Sequence, residues 1–134
     1  MAAIRQRLFL LRTPDWLTLV GGSSLRHCKG MEILKDFDRM IVHHSASHVW
    51  TNKADIWKWH VQENGWEDIG YHYLIQADGE IVPCRPICYM GAHARGNNHD
   101  SIGVCVAGDN LSERDKWTVE QILSLQNLYR HWLF

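Results

Sequence analysis

From Arg39 onward, apolar residues fall first into a short strand-like run and then into a helical pattern. Met40-Ile41-Val42 predicts a buried strand that ends in His43. Residues 52–64 carry apolar positions at helical spacing, Thr51 or Asn52 can cap them, and Gly65 can end the helix in a left-handed conformation. The pattern therefore predicts a strand followed by one helix.

Two strand-like runs come next, residues 71–76 and 80–82, separated by Asp78-Gly79. An Asp-Gly pair between such runs is a strong hairpin signal. Residues 83–100 contain Pro, Gly and Asn and predict a long loop. Residues 101–107 are apolar and β-branched, which predicts another strand.

The last element predicted is a helix that begins after Thr118, which forms a capping-box pattern with Gln121. Its expected apolar face consists of Ile122, Leu125, Leu128, Tyr129 and Trp132. The order strand, helix, hairpin, strand, helix predicts an α/β domain with a central mixed β-sheet flanked by helices. We expect this domain to span residues 39–134, after a weakly structured leader over residues 1–38.

Composition narrows the class of function. The chain has 134 residues, enough for one core, and a formal net charge of −1. This charge offers no general attraction to nucleic acid or to an anionic membrane surface, so we expect neither as a partner. Apolar stretches near the N-terminus are too short to span a membrane and form no clear signal peptide, so the location of the protein stays unknown.

Seven Trp and nine His residues are unusual for this length, and most lie between Val42 and His99. Rings of Trp suit sugars and peptides, while imidazoles bind metals and carry protons. For a single such residue, a packing or surface role is the alternative.

Four segments, in this order and spacing, resemble the amidase fold shared by phage lysozyme-amidases (endolysins), bacterial cell-wall recycling amidases and animal peptidoglycan recognition proteins. These segments are Ile41-Val42-His43-His44-Ser45-Ala46, Gly65-Trp66-Glu67-Asp68-Ile69-Gly70-Tyr71-His72-Tyr73, Asp78-Gly79-Glu80-Ile81, and the block from Gly91 to Asn98 with Ser101 to Cys105. The resemblance covers about two-thirds of the chain. It implies an N-acetylmuramoyl-L-alanine amidase, which hydrolyses the bond between the muramoyl lactyl group and L-alanine of peptidoglycan.

The resemblance further implies that His43 binds Zn²⁺ and that Tyr71 assists catalysis. Zinc lowers the pKa of its bound water to about 7, which supplies a hydroxide for attack on an amide. A phenol can stabilise the oxyanion that forms. Without the resemblance, His43 could bond backbone and Tyr71 could pack in the core.

Arg85, His93 and Asn98 lie in the loop that resembles the rim of the substrate groove, and we expect them to bind the muramyl peptide. Arg forms charge-assisted bonds to carboxylates, and His or Asn can bond amides. A solvated loop is the alternative. For His44, whose side chain should point away from that of His43, a structural role is expected.

A catalytic zinc site needs three protein ligands. The resemblance implies that the other two, a His and then a Cys or Asp, lie beyond the terminal helix, so we expect an incomplete zinc site in this sequence. Two readings stay open: an amidase lacking part of its metal site, and a peptidoglycan-binding or partner-binding module without hydrolysis. Without the segment that the resemblance implies after the terminal helix, an apolar edge at the C-terminal end of the domain would be uncovered. We expect this edge to favour self-association. A glycosidase needs two facing carboxylates, for which no convincing pair is present.

Overall fold

A computed structural model of the chain describes residues 30–134. Its strands are β1 (Arg39–His44), β2 (Tyr73–Ile75), β3 (Ile81–Pro83) and β4 (Ser101–Val106). Its helices are α1 (Lys53–Trp57), which continues as a π-helix over Lys58–Glu63, and α2 (Val119–Leu133), with a 3₁₀ turn at Asn98–Asp100. The predicted mixed sheet with flanking helices is confirmed, since this element order agrees with the one that the apolar pattern predicts.

The four strands form one sheet in the order β1-β4-β2-β3. β4 pairs in parallel with both β1 and β2, and β2 pairs antiparallel with β3 through the predicted hairpin. Among the described residues, β1 is therefore an edge strand. The expectation of a buried first strand is wrong, because an edge position leaves Val42 39% exposed.

The two faces of the sheet hold separate apolar clusters. Leu74 and Cys105 pack with Ile56 of α1 on one face. Tyr73 and Val104 pack with Leu128 of α2 on the other. Successive residues of a strand point to opposite faces. His43, which pairs with Cys105, therefore belongs to the α1 face.

The first helix begins at Asn52, whose side chain accepts from the backbone N–H of Asp55 in a reciprocal capping box. The predicted continuous α-helix is π-helical from Lys58 onward, and the backbone N–H of Asn64 donates to the carbonyl of Trp59. Gly65 ends it with a φ of 73°. π-Helical turns are frequent at functional sites, and this one contains His60.

The second helix begins at Thr118 with the predicted capping box to Gln121. Its buried face differs from the predicted one. Gln121 is fully buried, because its Nε2 donates to the carbonyls of Ile75 and Ala107 at the ends of β2 and β4. Satisfying these carbonyls orients the helix so that Ile122 and Tyr129 lie at the surface, 44% and 48% exposed.

Packing begins before Arg39. Leu34 and Phe37 are buried against Ile102 of β4, and the backbone N–H of Leu34 donates to the carbonyl of Cys88. The leader expected over residues 1–38 is thus packed in its described part, and residues 1–29 lie outside the described residues.

Candidate active site

His43 stands near the end of β1 on the sheet face that α1 covers. Its ring lies 5.4 Å from the ring of Tyr71 and 5.2 Å from that of His93, centroid to centroid. Partial burial lowers the pKa of His43, and the adjacent His44 lowers it further. The imidazole is therefore neutral near pH 7, which is the form that can bind a metal ion.

Tyr71 precedes β2 and packs its ring against the cluster that contains Ile56 and Leu74. Burial raises the pKa of its phenol, and the neighbouring thiol of Cys105 raises it further. Tyr71 therefore keeps its proton at neutral pH and can act as a hydrogen-bond donor.

His60 extends this group of rings. Its centroid lies 5.3 Å from that of Tyr71 and 4.6 Å from that of Trp66. Its Nδ1 accepts the backbone N–H of Gly70 at 3.0 Å, which fixes the chain immediately before Tyr71. The sequence predicts a structural role for His60 on the helix, and the structure also places its ring beside Tyr71. We call Trp66, His60, Tyr71, His43 and His93 the aromatic row.

His93 occupies a space that two glycines leave open. A Cβ atom on Gly103 would lie 2.4 Å from its ring, and one on Gly91 would lie 2.6 Å from it. Gly103 lies inside β4, and a glycine within a strand is a recognisable signal of close approach by another group. Burial lowers the pKa of His93 to about 3, with smaller contributions from His72, His43 and Arg85.

His72 has a structural role. It is 1% exposed, its Nδ1 accepts the N–H of Gly103, and its Nε2 lies 2.7 Å from the carbonyl of Tyr89. Burial lowers its pKa to about 3, and Arg85 contributes in the same direction. His72 thereby ties β4 to the loop that carries His93.

Arg85 lies beneath the loop rather than on a free rim. It is 7% exposed, and its guanidinium donates to the carbonyls of Ile69, Met90 and Asp68 at 2.8, 2.8 and 3.2 Å. Burial lowers its pKa, while Asp68 and Glu67 oppose this change. In this arrangement its donors join the backbone that precedes Tyr71 to the loop that carries His93.

Asn98 also acts on the loop backbone. Its Oδ1 accepts the N–H groups of His93 and Ala94 at 3.0 and 2.9 Å. His44 points to the other face of the sheet, where its Nδ1 accepts the N–H of Asn110 at 3.4 Å. Of the residues expected to bind substrate, His93 is thus the one whose ring belongs to the aromatic row.

Residues 30–134 contain no group of three His, Cys, Asp or Glu side chains placed to hold a metal ion. They offer His43 and, next to it, His93, and so do not by themselves fit a catalytic zinc ion. Within the same residues, no helix is long and apolar enough to cross a membrane.

Comparison with known proteins identifies the family. Residues 34–133 match the N-acetylmuramoyl-L-alanine amidase family. The endolysin of Escherichia phage T7 is 41% identical over 96 residues, which are 68% of this chain and 63% of the endolysin. The chain therefore spans less than two-thirds of this relative's length.

Solved structures agree with this match. An N-acetylmuramoyl-L-alanine amidase endolysin from Clostridium intestinale superposes with a TM-score of 0.68 at 30% identity, covering 75% of this chain and 64% of that one. A tyrosine-to-phenylalanine mutant of Drosophila PGRP-LB, in complex with tracheal cytotoxin, superposes with a TM-score of 0.66 at 28% identity, covering 75% and 63%. Together with the family match over residues 34–133, these likenesses show that the chain belongs to the N-acetylmuramoyl-L-alanine amidase family.

Proposed function

We propose that this protein is a peptidoglycan amidase that hydrolyses the bond between the N-acetylmuramoyl lactyl group and L-alanine of the stem peptide. The observation that carries the proposal is the approach of His43 to Tyr71, with ring centroids 5.4 Å apart, in a chain of the amidase family. Amide hydrolysis requires a nucleophile on one side of the carbonyl and a donor for the oxyanion.

In this proposal Zn²⁺ is the cofactor and His43 is one of its ligands, and the bound ion would supply an activated water. Because the described residues offer no third ligand, the remaining ones would come from outside residues 30–134. The role of Tyr71 follows from its own chemistry. A phenol that keeps its proton can donate a hydrogen bond to a carbonyl oxygen as negative charge develops there.

The aromatic row offers the substrate flat ring faces on which a sugar or a peptide can pack. Trp66 is 38% exposed at one end of the row, and its ring can stack on a sugar or a stem peptide. We propose that His93 contributes to substrate binding through its place in the row. Arg85 and Asn98 would contribute indirectly, because their polar groups fix the backbone of the surrounding loop.

A second candidate is a peptidoglycan-binding module without hydrolysis. It is supported by the lack of a three-ligand metal group in residues 30–134. It also agrees with the structural likeness to PGRP-LB, which was solved in complex with tracheal cytotoxin. Both candidates share peptidoglycan as the partner and differ only in whether the amide is cleaved.

The test is digestion of purified peptidoglycan by the full chain, with zinc and with a chelator. Under the hydrolase proposal, stem peptides with a new L-alanine amino terminus appear, no reducing sugar ends form, and the chelator stops the reaction. New reducing ends that persist in the chelator would overturn it. If the chain sediments with the wall but releases no stem peptide, the binding-module candidate replaces it.

A further inference from the structure

His60 holds the loop that leads from the π-helix toward β2. This loop, residues 65–71, carries Trp66 near its start and Tyr71 at its end. The backbone N–H of Gly70 donates to Nδ1 of His60 at 3.0 Å. The ring of His60 also contacts both aromatic side chains of the loop, with centroid distances of 4.6 Å to Trp66 and 5.3 Å to Tyr71.

The π-helix gives His60 a further contact with the loop. In an α-helix its carbonyl would accept from the backbone N–H of Asn64. Here Asn64 donates to Trp59 and Gly65 donates to Val61, each at 3.1 Å. The carbonyl of His60 is therefore available, and the backbone N–H of Trp66 donates to it at 3.0 Å.

The hydrogen bond to Gly70 fixes the backbone immediately before Tyr71. A backbone N–H can only donate, so Nδ1 of His60 presents a lone pair and the ring proton is on Nε2. Gly70 is buried, and a buried N–H without an acceptor is costly. A Cβ atom on Gly70 would lie 2.2 Å from the carbonyl oxygen of Ala92, so the chain is also confined on that side.

We propose that His60 is a positioning residue, whose Nδ1 sets the place of Tyr71 and whose ring supports Trp66. The proposal rests on the proposed function for the roles of these two side chains, which are a donor to the carbonyl oxygen and a stacking surface. It assigns the two tasks to different parts of one imidazole. The acceptor nitrogen places the donor, and the flat ring supports the stacking surface.

Two variants separate these tasks from simple filling of space. His60→Phe keeps a ring beside Trp66 but has no acceptor for Gly70. His60→Asn places an amide oxygen near the former Nδ1 but has no ring. If His60 only filled space, both variants would disturb Tyr71 and Trp66 together. If it positions them, each variant should disturb one of the two and spare the other.

Nuclear magnetic resonance of the full chain, labelled with ¹⁵N, measures these positions without turnover. In the wild type we expect a ¹⁵N–¹⁵N coupling between Nδ1 of His60 and the amide of Gly70, slow exchange of that amide proton, and a nuclear Overhauser effect between the rings of Tyr71 and His43. His60→Phe should lose the slow exchange and the Overhauser effect. His60→Asn should keep both, while ¹⁵N relaxation shows a more mobile indole N–H of Trp66.

Kinetics on soluble muramyl peptides supply a second readout that packing alone would not divide. His60→Phe should lower kcat by about 10-fold to 100-fold with little change in KM, because a misplaced donor is lost mainly in the transition state. His60→Asn should raise KM with little change in kcat, because a stacking surface binds substrate and transition state alike.

The amide proton of Gly103 is the reference for an intact fold, since it donates to Nδ1 of His72 in a bond of the same kind. Gln62→Leu, at an exposed position of the same π-helix, is the matched control and should alter none of these signals.

Absence of the ¹⁵N–¹⁵N coupling in the wild-type chain would overturn the proposal. So would slow exchange at Gly70 and an unchanged contact between Tyr71 and His43 in His60→Phe, or equal disturbance of Tyr71 and Trp66 by the two variants. The expected resonance signals in a chain that releases no stem peptide support the positioning role and count against the proposed hydrolysis.

Discussion

The ring of His43 lies 5.4 Å from the ring of Tyr71, at an interplanar angle of 48°. The two residues meet because β4 lies between β1 and β2 in the sheet. Cys105 of β4 pairs with His43, and its thiol neighbours the hydroxyl of Tyr71. The buried central strand thus sets the distance between the two residues that the proposed chemistry requires.

Replacement of Tyr71 by Phe should lower the rate of stem-peptide release with little change in wall binding. The hydroxyl would act mainly on the oxyanion, and loss of one such donor costs about 10²–10³ in kcat. The measurement is turnover on soluble muramyl peptides beside sedimentation with intact wall.

Tyr129→Phe is the matched control, because Tyr129 lies on α2 at the other face of the sheet and is 48% exposed. It should leave turnover unchanged. Equal turnover of wild type and Tyr71→Phe would contradict the catalytic role of Tyr71.

Acid should destabilise the fold through His72. Its pKa in the folded chain is about 3, against about 6.5 when unfolded, so the unfolded chain binds more protons as the pH falls. The stability that neutral His72 contributes is present above pH 6.5 and is lost on acidification toward pH 3. Between pH 7.5 and pH 5 the loss should be about 2 kcal/mol from this residue.

Urea unfolding at both pH values, in wild type and in His72→Gln, measures this contribution. The variant should lose less stability than wild type on acidification, although it starts from a lower value. His99→Gln is the control, since His99 is exposed. An identical pH dependence in His72→Gln and wild type would contradict the assignment.

Replacement of Arg85 by Met should lower the free energy of unfolding by about 3 kcal/mol, because the carbonyls of Ile69 and Met90 lose buried charged donors. Urea denaturation measures the change. Arg95→Met, at an exposed position of the same loop, should change stability by less than about 0.5 kcal/mol. If both variants unfold alike, the guanidinium does not hold the loop in the way described.

Self-association should occur through the groove between β1 and α2. This groove has a volume of about 650 Å³ and is lined by Met40, Val42, Leu125, Gln126, Tyr129, Arg130 and Phe134. Phe134 is 73% exposed, and β1 is the edge strand of the described sheet. Exposed apolar surface beside an open strand edge favours association with another chain.

Sedimentation velocity over a range of concentrations is the measurement. The wild-type chain should form dimers or larger species, and Val42→Lys should shift it toward monomer. Leu111→Lys is the control, because Leu111 is 93% exposed outside the groove. A wild-type chain that stays monomeric at high concentration would contradict the prediction.

Local patterns were sufficient for most elements of the fold. The capping boxes at Asn52 and Thr118 mark both helix starts. The Asp78-Gly79 pair predicts the hairpin, in which Gly79 adopts a φ of 87°. These features depend on hydrogen bonds between residues close in sequence, so the sequence alone specifies them. The family motifs likewise single out His43 and Tyr71 by their order along the chain.

Contacts between distant segments decided the rest. The sequence could not show that β1 is an edge strand, because that depends on the order of the strands in the sheet. It could not show that Gln121 rather than Ile122 faces the sheet, because that depends on which carbonyls at the strand ends need hydrogen-bond donors. Nor could it show that Arg85 holds backbone carbonyls, or that His93 lies against Gly103 with its Nδ1 3.0 Å from Nε2 of His43. Side-chain roles of this kind follow from packing across the sheet, where burial and the supply of hydrogen-bond partners are set by the fold as a whole.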